Sequence, residues 1–273
     1  MLKHRVLITV KTYPTLSRRH GETVCTAGVR EDGSWVRIYP VPFRRLSETE
    51  QYSKYDWVEC KLIKSKGDLR PESYGPADVG ELTPAGHVDT ADKWRERRKL
   101  LLKTAPVATR LKPLIAAAKS NTVSLAVFKP NKVVNLVVEK EERDWDPAKV
   151  TEMRAKSKQV ELFSDERWRE TFKIIPKLPY SFSHQFEDAD GKESTLQILD
   201  WEIGALFWKC LRQSNCREDM ALNKVRSKYL TQFPKTDLHF FLGTTQQFHQ
   251  IAPNPWVIVG VFPIPHETQR QLL

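Results

Sequence analysis

The sequence predicts an α+β protein in which a small OB-like β-barrel at the N-terminus is followed by a C-terminal α/β portion of a hairpin, helices and buried strands. Three observations support this fold class. Short β-type runs alternate with turns in residues 5–64, as they do in a small barrel or sandwich. Capped, amphipathic helix patterns and two compact apolar runs fill the later part of the chain. With 40% hydrophobic and 29% charged residues, the composition is that of a folded protein.

The first domain is expected over residues 1–125. Its β-type runs cover residues 5–12, 23–30, 35–40 and 55–64. Asp32-Gly33 supplies the hairpin turn between the second and third runs. A proline- and glycine-rich loop over residues 67–84 is long enough to be functional or mobile. Two helices, at residues 92–103 and 108–119, complete the domain. Pro113 lies in an early turn of the second helix.

The second domain is expected over residues 126–273. It includes two strand-like runs that predict a hairpin across Pro130-Asn131, at residues 123–129 and 133–139. A charge-dense stretch, residues 139–170, indicates surface helices or an extended connector. A second hairpin is expected at residues 180–199, and a helix stopped by Pro234 at residues 218–233. Two buried strands follow at residues 238–242 and 256–262. Between them Asp200 caps a helix whose apolar side carries Trp201, Ala205, Trp208 and Leu211. One interpretation of this domain is a degenerate second barrel with a helical insertion.

Positive charge is concentrated in the first domain. The formal net charge is +10, and residues 1–120 contain 23 Lys and Arg against 14 Asp and Glu. Such an excess favours an anionic partner, here DNA or RNA. No apolar run reaches the roughly 18–20 residues of a membrane span, and the N-terminus lacks the pattern of a signal peptide. The four scattered cysteines indicate reduced thiols, so we expect a cytoplasmic protein that does not contact a membrane.

The hairpin around Asp32-Gly33 is the main candidate binding surface. Period-two alternation places Trp35, Arg37 and Tyr39 on the face opposite Val36 and Ile38. If that face is exposed, it offers aromatic stacking surfaces beside a phosphate-binding charge. The alternative is a half-buried strand whose aromatic residues pack in the core and whose arginine is solvated. The candidate nucleic-acid-binding residues are Arg18, Arg19, Arg30, Trp35, Arg37, Tyr39, Arg44, Arg45, Arg70, Tyr74, Arg95 and Arg98.

Other chemistry-bearing motifs have simple structural explanations. Glu59 and Lys61 share one face of a strand, as in metal-dependent nucleases, but the simple alternation of a half-buried strand is the favoured explanation. Helix capping explains Asp200-Trp201-Glu202. The Gly243-Thr244-Thr245 turn is a weak signal for a phosphate held by backbone N–H groups. The histidines and cysteines lack metal-ligand spacing, so no metal, cofactor or catalytic residue is predicted.

The six residues Cys25, Ala27, Gly28, Gly33, Trp35 and Arg37 form a Cys-x-Ala-Gly strand followed by Gly-x-Trp-Val-Arg. In this respect residues 22–45 resemble the opening repeat of bacterial nucleic-acid-binding proteins built from two OB-type domains. The resemblance implies nucleic-acid binding in bacterial antiphage defence or mobile-element settings. The whole chain is similar to uncharacterised bacterial proteins that share the segments Lys11-Thr-Tyr-Pro, Arg70-Pro-Glu-Ser-Tyr, Asp200-Trp-Glu and Phe240-Phe-Leu-Gly-Thr.

These observations together predict a nucleic-acid-binding protein without catalytic activity, whose C-terminal part packs on the barrel or recruits a protein partner. Two other functions stay open at this point. One is a metal-dependent nuclease that uses Glu59 and Lys61, and the other is a protein–protein adaptor. Only the first hypothesis requires binding that weakens steeply with salt in the absence of cleavage, because Lys and Arg side chains displace counterions from phosphates.

Overall fold

The N-terminal part of the chain forms a closed five-stranded β-barrel. The computed structural model describes residues 3–17, 20–103, 106–161 and 174–266. The barrel strands pair in the order β1-β3-β4-β6-β5, and β5 pairs back with β1 to close the barrel. All pairings are antiparallel except that of β4 with β6. The strands are β1 Lys3–Lys11, β3 Gly21–Arg30, β4 Trp35–Val41, β5 Asp56–Lys64 and β6 Ser73–Pro76, with β2 Thr15–Ser17 and β7 Thr83–His87 added at the edges. This confirms the OB-like barrel that the sequence predicts.

Local sequence accounts for the barrel. Gly33 has φ +82° in the turn between β3 and β4, a conformation that favours glycine. At Gly28 a Cβ would lie 2.1 Å from the carbonyl oxygen of Leu7, so only glycine permits this approach of β3 to β1. Alternate residues of the strands point into the barrel, where they form one hydrophobic cluster that includes Val6, Ile8, Val24, Val36, Ile38, Val58, Cys60 and Leu62.

Among the described residues, the C-terminal part contains two sheets and four α-helices. Its four-stranded sheet has the order β14-β13-β9-β8, with strands β8 Val107–Ala108, β9 Leu125–Phe128, β13 Asp237–Thr244 and β14 Trp256–Ile264. The three-stranded sheet is formed by β10 Lys132–Lys140, β11 Tyr180–Glu187 and β12 Glu193–Gln197. The α-helices of the described ranges are α1 Ala91–Arg98, α2 Leu111–Lys119, α3 Pro147–Glu161, α4 Trp201–Gln213 and α5 Glu218–Arg226. Among the residues described, no helix is both long and apolar enough to cross a membrane.

Most expected elements are present, and three details differ. The strands expected to form a hairpin across Pro130-Asn131 lie in different sheets, because β9 pairs with β13 while β10 pairs with β11. Helix α4 buries Ile203, Phe207 and Cys210, whereas Ala205 is exposed, so its buried side is rotated from the expected one. The loop expected over residues 67–84 contains β6 and the start of β7. Pairing partners that are distant in sequence decide the two strand details, and packing against the hydrophobic core decides the buried side of the helix.

The four-stranded sheet packs on the outside of the barrel. One continuous hydrophobic cluster joins barrel residues such as Leu7 and Val29 to Val127, Phe241 and Phe262 of the C-terminal sheet. The main chain also connects the two parts, since the N–H of Tyr13 donates to the carbonyl of Leu199 at 2.9 Å. The outer face of β3 and β4 is therefore an internal surface of the protein.

Candidate ligand cavity between the barrel and the C-terminal sheets

A cavity of about 500 Å³ lies where the outer face of the barrel meets the C-terminal part. Strands β1, β3 and β4 supply the barrel wall, which includes Val10, Cys25, Ala27, Arg37 and Tyr39. Strands β9, β11, β13 and β14 supply the opposite wall, which includes Leu125, Tyr180, Phe182, Thr244 and Val259. The volume lies within the range of about 300–1,000 Å³ that is typical of small-molecule sites.

Arg37 is the central charged group of the barrel wall, and it is only 2% exposed. Its guanidinium donates to the Oγ of Ser124 at 2.8 Å, to the Ser124 carbonyl at 2.9 Å and to the Oγ of Ser73 at 3.1 Å. A longer bond of 3.5 Å reaches the carbonyl of Thr244. Burial, assisted by the nearby Arg70 guanidinium, lowers the pKa of Arg37 to about 10, so the side chain remains a cation at neutral pH.

Arg70 enters the same site from the loop between β5 and β6. It forms a two-point ion pair with Asp68, with Nε at 2.9 Å from Oδ1 and Nη2 at 2.6 Å from Oδ2, and it also donates to the carbonyl of Thr244. Burial alone would raise the pKa of Asp68, but the hydrogen bonds and charge of Arg70 outweigh burial and lower it to about 2. Glu72 lies nearby and accepts from the N–H of Ser124 at 3.1 Å. The two guanidinium groups are thus balanced by two carboxylates.

The aromatic residues of the cavity have their polar ends bonded to protein groups. The Tyr13 hydroxyl donates to the carbonyl of Pro176 at 2.8 Å and accepts from Nε1 of Trp208 at 2.9 Å. Nε1 of Trp145 donates to the carbonyl of Ile175 at 2.7 Å, and the Tyr180 hydroxyl donates to Glu218 at 2.5 Å. The rings of Tyr13, Trp145 and Tyr180 therefore contribute chiefly apolar surface to the cavity.

Two further groups define what the cavity is able to do chemically. Thr245 belongs to the cavity lining, but its hydroxyl is buried within the protein and has no hydrogen-bond partner among the described residues. Burial raises the pKa of the Cys25 thiol although Arg37 and Arg70 oppose this effect, and the thiol is therefore neutral at physiological pH. A neutral, mostly apolar cavity with a few hydrogen-bonding groups is suited to a flat, uncharged ligand with a polar edge.

The Gly243-Thr244-Thr245 segment is a junction and not a phosphate turn. The N–H of Thr244 donates to the Ser124 carbonyl at 3.1 Å, and its own carbonyl accepts from both buried arginines. The Thr244 hydroxyl is bonded to Nδ1 of His249 at 2.9 Å, and Nε2 of His249 contacts Oδ1 of Asn121 at 2.9 Å. Gly243 and Thr244 thus belong to β13 and not to a turn, and the N–H of Thr244 is already bonded to protein.

The structure also changes the geometry expected for the β4 side chains. They do face away from the barrel core, but the C-terminal sheet covers them. Trp35 packs edge-on against Phe241 with 5.8 Å between ring centroids, and Arg37 is buried. Tyr39 is half-buried and lines the cavity. The open aromatic-Arg-aromatic platform is therefore not present, and the solvated arginine of the alternative interpretation is not present either.

The remaining candidate residues do not converge on one surface. Arg44 pairs with Glu22 at 2.7 Å, Arg95 with Asp92 at 2.9 Å and Arg98 with Asp237 at 2.6 Å. The Arg30 guanidinium lies 5.0 Å from the ring centroid of Tyr74, and Arg45 is half-buried beside Gly21. Arg18 and Arg19 lie outside the described residues. Of the twelve candidates, Arg37, Tyr39 and Arg70 share the cavity.

The proposed nuclease residues have ordinary surface partners. Glu59 lies 2.6 Å from the Nζ of Lys3, and the Nζ of Lys61 lies 2.9 Å from Glu81. Within the described part of the chain, no group of three or more His, Cys, Asp and Glu side chains is arranged to hold a metal ion. The expected cap is confirmed, since Asp200 accepts from the N–H of Glu202 at 3.3 Å. Asp200 is also completely buried and pairs with Lys54 of the barrel at 3.1 Å.

Sequence reasoning did not identify Tyr13, Trp145 or Tyr180 as site residues, and it considered Thr245 only as part of a weak phosphate-binding signal. The four segments shared with uncharacterised bacterial proteins could have indicated the site. These segments are far apart in the chain. Each of these segments contributes to the cavity lining, the first through Thr12, Tyr13 and Pro14 and the others through Arg70, Asp200 and Thr244. Their convergence on one cavity is a property of the fold that no single segment reveals.

Comparison with known proteins yields two matches. Residues 2–103 match a family described as Domain of unknown function (DUF8758), and residues 108–273 match one described as Domain of unknown function (DUF8757). The two matched regions meet between the helical turn Lys99–Lys103 and β8. No curated protein matches the chain.

Proposed function

We propose that this chain, which belongs to the DUF8757 family, binds nucleic acid by taking one unpaired base into the cavity. The description of that family assigns no activity. One observation carries the proposal. The cavity of about 500 Å³ lies on the outer face of β3 and β4, the face with which OB folds bind oligonucleotides. In this protein the same face is enclosed by the C-terminal sheet.

The enclosure argues for a single base. An extended strand needs an open groove, whereas here Phe241 covers Trp35 beside the cavity. Proteins that read one base take it out of the stack into an enclosed pocket, where aromatic and apolar side chains contact its faces. The rings of Tyr13, Tyr39 and Tyr180 and the side chain of Val259 supply such contacts.

The charges favour a base over a phosphate inside the cavity. The charge of Arg70 is neutralised by its ion pair with Asp68. Arg37 donates to the Oγ of Ser124, and the N–H of Ser124 donates to the Glu72 carboxylate. A phosphate would therefore enter a site whose positive charge is already balanced, while an uncharged base has only to form hydrogen bonds. Gln246 is exposed at the cavity, and because its amide nitrogen is bonded to Gly67, its amide oxygen is the group that would accept from the polar edge of the base. The net charge of +10 supplies long-range attraction for the phosphates outside.

The proposal is for binding without catalysis, by a bacterial cytoplasmic protein acting in defence or in mobile elements. The biological setting rests on the resemblance of residues 22–45 and on the scattered cysteines. The binding role rests on the cavity. The neutral, buried Cys25 thiol is a poor nucleophile, which favours a reader of bases over an enzyme that modifies them.

A cavity-filling substitution tests the proposal. Val257 is half-buried and lines the cavity from β14, so Val257→Trp places an indole where the base would lie. Val134→Trp is the matched control, because Val134 is 36% exposed on β10. Labelled single-stranded 12-mers and hairpins with one unpaired base are titrated at several salt concentrations, and thermal melting reports folding.

We expect wild type and Val134→Trp to bind with an affinity that falls as salt rises, with a log–log slope of about −0.7 per phosphate contact on single strands. Val257→Trp should melt like wild type and lose at least tenfold in affinity. If folded Val257→Trp binds as wild type does, the base does not occupy the cavity. If wild type shows no binding near roughly 50 mM salt, the nucleic-acid function itself is refuted.

A further inference from the structure

Three segments meet at the rim of the cavity and form one surface. The Gln246 side chain donates to the carbonyl of Gly67 at 2.6 Å, and Nδ2 of Asn121 donates to the carbonyl of Leu69 at 3.1 Å. His249 contacts the same Asn121. The loop between β5 and β6, the end of α2 and the loop between β13 and β14 are thereby joined. Since Arg70 and Gln246 also line the cavity, this surface is continuous with it.

This surface carries an unusual concentration of exposed apolar side chains. Leu69 is 77% exposed, Ile251 is 75% exposed and Phe248 is 47% exposed. They are three of the five large hydrophobic residues that are strongly exposed in the described part of the chain. We call Leu69, Phe248 and Ile251, with the loops that carry them, the rim patch. Apolar groups that cluster in this way on a surface indicate a binding site.

The charges beside the rim patch favour a polyanion. Lys64 and Lys66 are exposed on the same loop as Leu69, and Lys119 is exposed at the end of α2, next to Asn121. The Nζ of Lys64 donates to the carbonyls of Arg70 and Pro71, which holds the ammonium against the loop. The two acidic residues of this loop are bonded to protein groups, since Asp68 pairs with Arg70 and Glu72 accepts from Ser124. Exposed ammonium groups therefore border the apolar side chains.

We infer that the rim patch is a second binding site, which holds the nucleotides that flank the base in the cavity. The inference rests on the proposed function. Bases stack on exposed aromatic and apolar side chains without sequence preference, and lysines contact the phosphates between them. The Phe248 ring supplies the stacking surface, Leu69 and Ile251 supply apolar contacts, and Lys66 supplies an exposed ammonium. A protein partner would be the other occupant, but the bordering lysines favour a nucleic-acid strand.

Oligonucleotides of two lengths separate the rim patch from the cavity. A single-stranded 12-mer spans both sites, whereas a trinucleotide is short enough to depend chiefly on the cavity. Phe248→Ala should weaken 12-mer binding by about 5- to 150-fold, the equivalent of about 1–3 kcal/mol for one stacked base, and leave trinucleotide binding unchanged. Lys66→Gln should make the salt dependence of 12-mer binding shallower by about 0.7 in log–log slope. Val134→Ala, an exposed apolar residue on β10, is the control and should change neither.

Each outcome supports or overturns the inference. If wild type binds the 12-mer, Val257→Trp abolishes that binding and Phe248→Ala has no effect, the rim patch is not a site although the proposed function stands. If Phe248→Ala changes the molar mass of the protein in light scattering and not its affinity for the 12-mer, the patch contacts a protein surface and the inference is wrong. If wild type binds neither oligonucleotide, the proposed function fails and the inference fails with it.

Discussion

Replacing Arg37 with methionine tests how the barrel and the C-terminal part are joined. Methionine keeps the length of the side chain and removes the charge and all five donors. The guanidinium now makes two short bonds to Ser124, at 2.8 and 2.9 Å. At about 1.5–3 kcal/mol for each hydrogen bond to a charged group, these two contribute about 3–6 kcal/mol before desolvation is considered.

The acceptors are not abandoned when Arg37 is removed. The Ser124 carbonyl still accepts from the N–H of Thr244, and the Thr244 carbonyl still accepts from Arg70. Methionine also avoids the cost of burying a charge. We therefore expect Arg37→Met to lower the free energy of unfolding by about 2–4 kcal/mol. An arginine on an open binding surface would instead change stability by no more than about 0.5 kcal/mol.

Urea denaturation followed by tryptophan fluorescence measures this difference. Arg95→Met is the control, because the Arg95 side chain is 72% exposed, and it should leave the free energy of unfolding within about 0.5 kcal/mol of wild type. If Arg37→Met is as stable as Arg95→Met, Arg37 is not buried between the two parts, and the enclosed cavity does not exist in solution. If Arg37→Met is less stable but the slope of its unfolding free energy against urea concentration (the m value) is unchanged, the two parts unfold as a single cooperative unit.

Two further predictions concern buried ionisable groups. His184 is fully buried, and its ring stacks on Phe240 with 5.3 Å between ring centroids. Burial lowers the pKa of His184 from 6.5 to about 4. The stability gained from its neutral form is therefore fully present above pH 6.5 and is lost as the pH falls toward 4. Between pH 7 and pH 5 this residue should lower the free energy of unfolding of wild type by about 2 kcal/mol, and His184→Phe should not show this loss. Equal losses in urea denaturation of both proteins would contradict a buried, neutral His184. Lys54→Met leaves the buried Asp200 carboxylate without its cation and should cost about 3–5 kcal/mol. Lys61→Met breaks an exposed pair with Glu81 and should cost at most about 1 kcal/mol, so similar losses of stability in these two variants would refute the buried role of Lys54.

Local patterns in the sequence were sufficient for the elements themselves. The Asp32-Gly33 turn, the cap at Asp200 and the alternation of Trp35, Arg37 and Tyr39 opposite Val36 and Ile38 all hold in the structure. These features depend on residues within a few positions of one another, because turn conformation, capping and strand alternation are short-range effects. The OB-like barrel follows from several of these elements taken in order.

The cavity and its covering depend on contacts that no short segment specifies. Alternation shows that Arg37 leaves the barrel core, but whether it meets solvent or Ser124 is decided by a segment 87 residues away in the chain. In the same way Asp200 is visible as a cap, whereas its ion pair with Lys54 spans 146 residues. The sequence by itself determined the strands, helices and turns, since their energies are local. Only the tertiary structure decided which faces are buried together, because that choice depends on the combined packing of both sheets against the barrel.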